Sequence, residues 1–272
     1  MEKMEIERFP ILRVTEQGRN ETEDIVTKET PLIIILNNRE LVTLLCSPTN
    51  LKYLAIGFLF SEGLLKSKDE IKNIIADDRR GVVRVETEKN KEFTGELLFK
   101  PLIASSGGRK ASFYRVSDIQ DEAKIESQIV IAPHEVFALV NEFQHRSRVF
   151  KATGGVHSAA LCDTGGILVF SEDIGRHNAL DKVFGECILT DIPTDDRMII
   201  TSGRVSSDVL LKVAKRKIPI LISKSAPTNL GVSLADDLGI TLIGFVRGQR
   251  MNVYTNVWRV ATDRNRMTEP AE

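Results

Sequence analysis

Short strands that alternate with helices are the main pattern of the second half of the chain. Brief apolar runs rich in β-branched residues predict strands, and longer segments with apolar residues at helical spacing predict helices. The predicted strands are 156–161, 167–170, 198–201, 218–222 and 240–245, and the predicted helices are 178–188, 207–215 and 228–238. Because alternating strands and helices build sheets that helices cover, this half is predicted to be an α/β domain with three layers and a mostly parallel sheet.

The first half has a weaker and more mixed pattern, which predicts a smaller α+β N-terminal part. Residues 1–30 are polar and are predicted to be edge or loop material, whereas 31–36 is apolar and predicts a strand. A helix is predicted to begin at Ser47, because Ser caps helices and the proline that follows fits the first helical position. Alternation of apolar and charged residues over 81–100 predicts a hairpin.

A polar stretch over 104–128 separates the two halves. It contains the segment 104–112, which is rich in Ser and Gly and is predicted to be a flexible loop. We therefore place the domain boundary at its end, which gives an N-terminal part at 1–128 and an α/β domain at 129–272.

Composition limits the classes of function. The 272 residues carry a net charge of -1, so attraction of the whole protein to nucleic acid or to a membrane surface is not expected. No apolar run is long enough to span a bilayer, and the first residues are charged. The chain has three cysteines, an odd number, and they are far apart: Cys46, Cys162 and Cys187. This indicates a reducing cytoplasm without a disulfide framework.

Candidate chemistry is concentrated in loops that follow predicted strands. The carboxyl ends of parallel strands meet at one edge of a sheet, where ligands of open α/β sheets bind. Three loops at these ends are basic or rich in Ser, and two of them lead into helices, whose N-terminal N–H groups favour anions. Their residues are Ser202, Gly203 and Arg204; Ser223, Lys224 and Ser225; and Arg247, Gly248, Gln249 and Arg250. The ligand is therefore expected to carry phosphates.

Two polar runs, 153–157 and 172–182, contain the other candidates. His177 follows Gly-Arg at a predicted helix start and is a candidate ligand contact, whereas His157 begins an apolar run and is expected to be a core histidine. Asp173 and Asp181 are expected to cap helices or to pair with Arg176 and Lys182 in the same run.

A metal site is not expected, because Cys-x-x-Cys, His-x-x-x-His and His-x-Glu spacings are absent from the sequence.

The motifs together resemble the FdhD family of formate dehydrogenase accessory proteins, which are sulfurtransferases. The resemblance spans residues 31–254 and is carried by 153–157, 172–182, 202–204, 223–228 and 244–255, and by a helix that contains 54–59. The 244–255 motif adds Phe245 and Val246 to the candidate cofactor-binding residues.

The resemblance implies a fold similar to cytidine deaminase and a defined role. Members of the family accept sulfur as a persulfide from a cysteine desulfurase and pass it to the molybdenum or tungsten bis-guanine-dinucleotide cofactor, bound as cargo, before it enters formate dehydrogenase. A homodimer is the usual expectation for the family. Two other functions stay open, a cofactor-binding chaperone that carries no sulfur and a zinc-dependent enzyme that modifies nucleotides.

One departure from the family concerns the sulfur-carrying residues. The family usually carries Cys-x-x-Cys in a flexible loop after a Ser-Ser pair, and the matching segment 104–112 has no cysteine. Either the protein binds the cofactor without carrying sulfur there, or another cysteine substitutes, or the sequence lacks residues of a longer loop. No catalytic residue is assigned, and little or no persulfide is expected. Any residual sulfur is expected on Cys46, because it precedes a predicted helix start, where a thiolate is favoured.

Overall fold

A computed structural model describes residues 5–88 and 124–261 of the protein. In this part of the chain it contains a two-stranded ribbon, a four-stranded sheet and a six-stranded sheet. The predicted hairpin turn near residue 90 and the predicted flexible loop at 104–112 lie outside the described residues. The domain boundary stays a prediction.

The N-terminal segment is a long β-hairpin, so the prediction of edge or loop material for residues 1–30 was wrong. Strand β1 (Ile6–Thr15) pairs antiparallel with β2 (Gly18–Thr27) along their whole length. Both strands are mostly exposed, so the segment has the polarity of a loop although its backbone is paired. The base of the ribbon is attached to the rest of the protein by Thr27, whose Oγ1 lies 2.8 Å from Oγ1 of Thr153.

The four-stranded sheet confirms the predicted α+β character of the N-terminal part. Its order is β4-β3-β6-β5, with antiparallel pairs except for the parallel pair of β3 and β6. The strands are β3 (Thr30–Leu36), β4 (Arg39–Cys46), β5 (Ile71–Asp77), which follows a 3-10 turn at Lys68–Glu70, and β6 (Val82–Thr87). Helix α1 (Leu51–Ser61) packs on this sheet, and its buried residues share a core with β3, β4 and β6.

Helix α1 has Asn50 at its N-cap position and not the predicted Ser47, so it begins three residues later than predicted. Asn50, in the left-handed conformation with φ 57°, precedes the helix, and Ser47 does not cap it. Instead the Ser47 hydroxyl accepts a hydrogen bond from the Ile174 N–H at 3.2 Å, which ties it to the other half of the chain.

The six-stranded sheet has the order β12-β11-β10-β9-β7-β8 and confirms a mixed α/β fold. Its centre, β9 to β11, is parallel as predicted, while β12, β7 and β8 add antiparallel pairs on both sides. The strands are β7 (His157–Asp163), β8 (Gly166–Asp173), β9 (Met198–Thr201), β10 (Ile220–Ser223), β11 (Thr241–Arg247) and β12 (Arg250–Val253). The helices are α2 (Pro133–Arg146), α3 (Arg148–Thr153), α4 (Arg176–Leu189), α5 (Ser207–Ala214) and α6 (Asn229–Asp237), and a 3-10 turn lies at Val257–Arg259.

Side chains of the central strands point alternately to the two faces of the sheet, and helices cover both faces, which gives the predicted three layers. Because neighbouring residues of a strand face opposite sides of a sheet, each buried strand supplies two cores. Ile199 and Leu221 pack with α4, α5 and α6, whereas Ile200 and Ile222 pack with α2 on the opposite face.

Helices α1 and α4 cross at a contact between two glycines. A Cβ atom at Gly57 would lie 1.8 Å from the carbonyl oxygen of Asp181, and one at Gly185 would lie 1.9 Å from the carbonyl oxygen of Tyr53. Only hydrogen side chains therefore allow this backbone approach, which joins the N-terminal part to the α/β domain.

A buried ion pair stands beside this crossing. Lys182 Nζ lies 2.8 Å from Asp173 Oδ2, and both side chains are fully buried. The carboxylate of Asp173 also accepts hydrogen bonds from the N–H of Ser47 and of Gly175 and from the side chain of Asn178. The predicted pairing of Asp173 with Lys182 is confirmed.

Asp181 pairs with a different partner from the one expected. Its carboxylate binds Lys212 Nζ on α5 and the Ser61 hydroxyl at the end of α1, both at 2.6 Å. The partner comes from a separate helix, so it could not be inferred from the run 172–182.

Within the described residues, no helix is both long and apolar enough to cross a membrane.

We predict that Gly185→Ala lowers the free energy of unfolding by about 3 kcal/mol or more, because the new methyl group overlaps the Tyr53 carbonyl and forces α1 and α4 apart. Urea denaturation followed by circular dichroism measures this change. The control is Gly165→Ala, where a Cβ meets only the side-chain tip of Asp163 at 3.2 Å. Equal stabilities of the two variants would contradict the proposed role of the crossing.

Candidate functional site

Three loops meet at the carboxyl edge of the parallel strands, as the sequence predicts. In the register of the sheet, Thr201 at the end of β9 lies beside Ser223 at the end of β10. The Ser223 hydroxyl donates to the carbonyl of Gly203 at 2.8 Å, and the Phe245 N–H donates to the carbonyl of Ser225 at 3.2 Å. These bonds hold the loops after β9 and β10 and the end of β11 in one fixed arrangement.

A cationic cleft opens between these loops. Its volume is about 460 Å³, and it is lined by Gln144, Ser202, Lys224, Ser225, Arg247 and Gly248. We call it the cationic lobe. Five of the six lining residues are sequence-predicted site residues, and Gln144 of α2 is the addition that the structure makes.

A second cleft of about 430 Å³ adjoins the first, and we call it the glycine lobe. It shares Gln144, Ser202 and Lys224 with the cationic lobe, so the two form one continuous groove. Its remaining lining residues are Phe143, Ser147, Phe150, Lys151, Gly154, Gly155, Val156, His157, Ser158 and Ile174. This lobe combines aromatic and aliphatic side chains with exposed backbone, a lining that suits a flat organic group.

The groove has a positive electrostatic character. Of the residues that line the two lobes, none is acidic, whereas Lys151, Lys224 and Arg247 are basic. Burial lowers the pKa of Lys224, and the nearby Arg247 guanidinium lowers it further. Two like charges held together without a carboxylate are expected to favour an anionic ligand.

A second pair of cations lies at the start of α4. Burial lowers the pKa of Arg176, and the adjacent Arg204 guanidinium acts in the same direction, while Asp208 opposes both. The side chain of Arg176 packs over Gly203, where a Cβ would lie 2.8 Å from Cβ of Arg176. Gly203 therefore leaves the space that Arg176 occupies beside the loop after β9.

An irregularity in β11 positions the Arg247 loop. Phe245 adopts the left-handed conformation with φ 52°, which is unusual for an aromatic residue, and the pairing of β11 with β12 shifts between Gly244 and Arg247. A bulge of this kind re-aims the side chains that follow it. Arg247 and Gly248 reach the cationic lobe just after the bulge.

The remaining predicted site residues have different surroundings. The side chains of Ser223 and Val246 are fully buried, the first in hydrogen bonds and the second in the core beneath α2. Arg204, Gln249 and Arg250 are exposed next to the groove without lining it, and His177 lies in the first turn of α4. Their assignment to ligand binding stays a prediction.

The wall that α2 and α3 contribute to the groove was not predicted from the sequence. Phe143 and Gln144 lie on α2, and Phe150 lies on the short helix α3. No sequence motif at these positions marks them as site residues. The glycines of the 153–157 run were the available signal, because they end α3 at the groove.

Every cysteine of the chain is buried. Cys46 and Cys162 have no exposed surface and Cys187 is 2% exposed. Burial raises the pKa of each of the three thiols to about 12. Cys187 and Cys162 are packed in the cores on the two faces of the six-stranded sheet. The expectation that Cys46 stands beside a helix start, where a thiolate is favoured, was wrong. Cys46 ends β4 in the core of the four-stranded sheet and does not stand at the N-terminus of α1.

Among the described residues, no group of three or more His, Cys, Asp or Glu side chains is arranged to hold a metal ion.

The chain matches the sequence model of the FdhD/NarQ family over residues 27–261. The chain belongs to the FdhD/NarQ family. The match includes every strand and helix that builds the groove, and it excludes most of the N-terminal ribbon.

Relatives and a solved structure agree with this membership. The chain is 45% identical to the sulfur carrier protein FdhD of Bacillus subtilis (strain 168) over 251 residues, which are 90% of this chain and 94% of that one. It is 44% identical to the FdhD of Bacillus pumilus over 87% of this chain and 90% of that one. The crystal structure of a formate dehydrogenase accessory protein from Desulfotalea psychrophila superposes with a TM-score of 0.79 at 28% identity, covering 94% of this chain and all of that one.

We predict that the native protein has no thiol that reacts rapidly with Ellman's reagent at neutral pH. A thiol with a pKa of about 12 is ionised on the order of once in 10⁵ molecules at pH 7, and the thiolate is the reactive form. Absorbance should show little reaction in buffer and the release expected for all three cysteines in denaturant. Rapid reaction of one thiol in buffer would show that a cysteine is accessible.

Proposed function

We propose that this protein is a formate dehydrogenase accessory protein that binds the molybdenum or tungsten bis-guanine-dinucleotide cofactor, as cargo, in the two-lobed groove. The single observation that carries the proposal is the carboxylate-free groove in which Lys224 and Arg247 face the same cleft. The family relatives, named as FdhD sulfur carriers and a formate dehydrogenase accessory protein, support the accessory role.

The chemistry of the groove fits a nucleotide diphosphate. Phosphate oxygens favour charge-assisted hydrogen bonds from Lys and Arg, together with backbone N–H groups and Ser hydroxyls. The cationic lobe offers all of these through Lys224, Arg247, Ser202 and Ser225. The adjoining glycine lobe offers an apolar wall to the flat ring system that a nucleotide or a pterin carries.

The proposal includes the partners that the family resemblance implies. These are formate dehydrogenase as the recipient of the cofactor, a cysteine desulfurase as the source of sulfur, and a second copy of the chain in a homodimer. A cytidine deaminase-like fold of the α/β domain and a cytoplasmic location belong to the same proposal. Free, unpaired cysteines are compatible with that compartment.

We predict that GDP, a fragment of the cofactor, binds the protein and raises its melting temperature, since a ligand that binds the native state stabilises it. Lys224→Ala combined with Arg247→Ala should weaken binding by about 2 to 4 kcal/mol, the contribution of one or two charge-assisted hydrogen bonds. Isothermal titration calorimetry measures the change. Arg250→Ala should have a smaller effect, because Arg250 is exposed across the β-turn from Arg247 and does not line the lobe.

The matched control removes two positive charges elsewhere. Arg39 at the start of β4 and Arg79 in the turn between β5 and β6 are exposed and do not line the groove. Arg39→Ala with Arg79→Ala should therefore leave GDP affinity nearly unchanged. If both double variants bound GDP as the wild type does, the groove would not be the nucleotide site.

A second candidate function is favoured by the burial of the thiols. A persulfide forms on a thiolate, and the three cysteines of this chain are buried with the pKa of each thiol raised to about 12. The segment 104–112, where the family usually has its cysteine pair, lies outside the described residues and contains no cysteine. We infer that this protein binds the cofactor without itself carrying sulfur as a persulfide.

We predict that incubation with a cysteine desulfurase and cysteine adds no sulfur atom to the chain, as judged by intact-mass spectrometry. The positive control is Gly107→Cys with Lys110→Cys, which restores Cys-x-x-Cys spacing in the family position and should gain sulfur. A stoichiometric sulfur addition to the wild type that disappears in Cys46→Ala, Cys162→Ala or Cys187→Ala would overturn the inference and identify the carrier.

A further inference from the structure

His157 and Ser202 form a polar pair in the wall of the groove. His157 lines the glycine lobe, and Ser202 belongs to both lobes. The Ser202 hydroxyl oxygen accepts a hydrogen bond from the Ser158 N–H at 2.9 Å and lies 3.3 Å from Nδ1 of His157. The expectation that His157 is an ordinary core histidine therefore does not describe its position, since the half-buried ring faces a cleft.

The hydrogen bonds around Ser202 accommodate a His157 ring whose Nδ1 is an acceptor. Ser202 uses a lone pair to accept from Ser158, which leaves its own hydrogen available for donation. Nδ1 of His157 lies 3.3 Å from this hydroxyl and accepts its hydrogen when the ring carries its proton at Nε2. A neutral imidazole that accepts at Nδ1 carries its proton at Nε2.

The charges around the ring favour the neutral form. Burial lowers the pKa of His157, and Arg176 at the start of α4 lowers it further, while Asp173 at the end of β8 opposes them. Lys151 of α3 and Lys224 of the loop after β10 are the other charged residues that line the same lobe. The Asp173 carboxylate is already bound to Lys182 and three hydrogen-bond donors.

We propose that His157 is a ligand-binding residue, a neutral imidazole that Ser202 holds in the Nε2–H form so that it donates a hydrogen bond to an oxygen of the bound nucleotide. This inference rests on the proposed function, because it assumes that a nucleotide occupies the groove. It assigns a neutral donor to the wall of the glycine lobe, which His157 lines together with Lys224. With such a donor, binding depends on the position of an acceptor atom in the ligand rather than on the net charge of the ligand.

Calorimetry with GDP tests the hydrogen bond. His157→Leu should weaken GDP binding about tenfold, the effect of one lost hydrogen bond. His157→Gln keeps an N–H donor near the position of Nε2 and should bind within about threefold of the wild type. His145→Leu is the matched control, since His145 is exposed on α2 and does not line the groove.

Nitrogen NMR of the histidine side chains tests the tautomer in the wild-type protein, so the result does not depend on the folding of a variant. The sequence has four histidines, and loss of one signal in His157→Gln assigns His157. We expect a proton on Nε2 of the free protein, a shift of that signal when GDP binds, and a mixture of tautomers in Ser202→Ala.

The outcomes separate this inference from the proposed function. A proton on Nδ1, or GDP binding that neither shifts the Nε2 signal nor responds to His157→Leu, would overturn the role of His157 while the groove stays the nucleotide site. Wild-type protein that does not bind GDP would overturn both.

Discussion

The buried pair of Asp173 and Lys182 is the interaction on which the rest of the structure depends. It lies where the end of β8, the start of α4 and the segment after β4 meet, and its carboxylate is bonded to groups from each of them. Removing one partner of a fully buried ion pair leaves an uncompensated charge, which costs about 3 to 5 kcal/mol. Ser47 of the N-terminal part hydrogen-bonds to both Asp173 and Lys182, so the surroundings of the pair depend on the packing of the two halves of the chain. The close contact of Gly57 with Gly185 makes that packing possible.

The same junction sets the geometry of the groove. Glu172, the neighbour of Asp173, accepts hydrogen bonds from the N–H groups of Val149 and Phe150 and so fixes the first turn of α3. On the other side, Asp173 binds the Gly175 N–H, just before Arg176 reaches over Gly203. One polar run thus positions the α3 wall of the glycine lobe and the loop after β9, although few of its own side chains line the groove.

The groove and the thiols of this protein have opposite surroundings. The cleft is lined by cations, hydroxyls and an imidazole, and these groups are placed by strand ends and backbone hydrogen bonds. The three thiols, in contrast, are packed as small apolar side chains, where burial suppresses ionisation. In this member of the FdhD/NarQ family, the groove lies at the edge of the six-stranded sheet and the three cysteines lie in the cores.

The sequence by itself determined the parallel centre of the sheet and the loops that meet at its edge, because periodicity and strand–loop order are local properties of the chain. It did not determine the paired ribbon of residues 6–27, the burial of Cys46 or the wall that Phe143, Gln144 and Phe150 add to the groove. These features depend on contacts between residues far apart in the chain. The partners of Asp173 and Asp181 show the difference: Lys182 stands in the same run and was predicted, whereas Lys212 comes from another helix and only the packed structure brings it to Asp181.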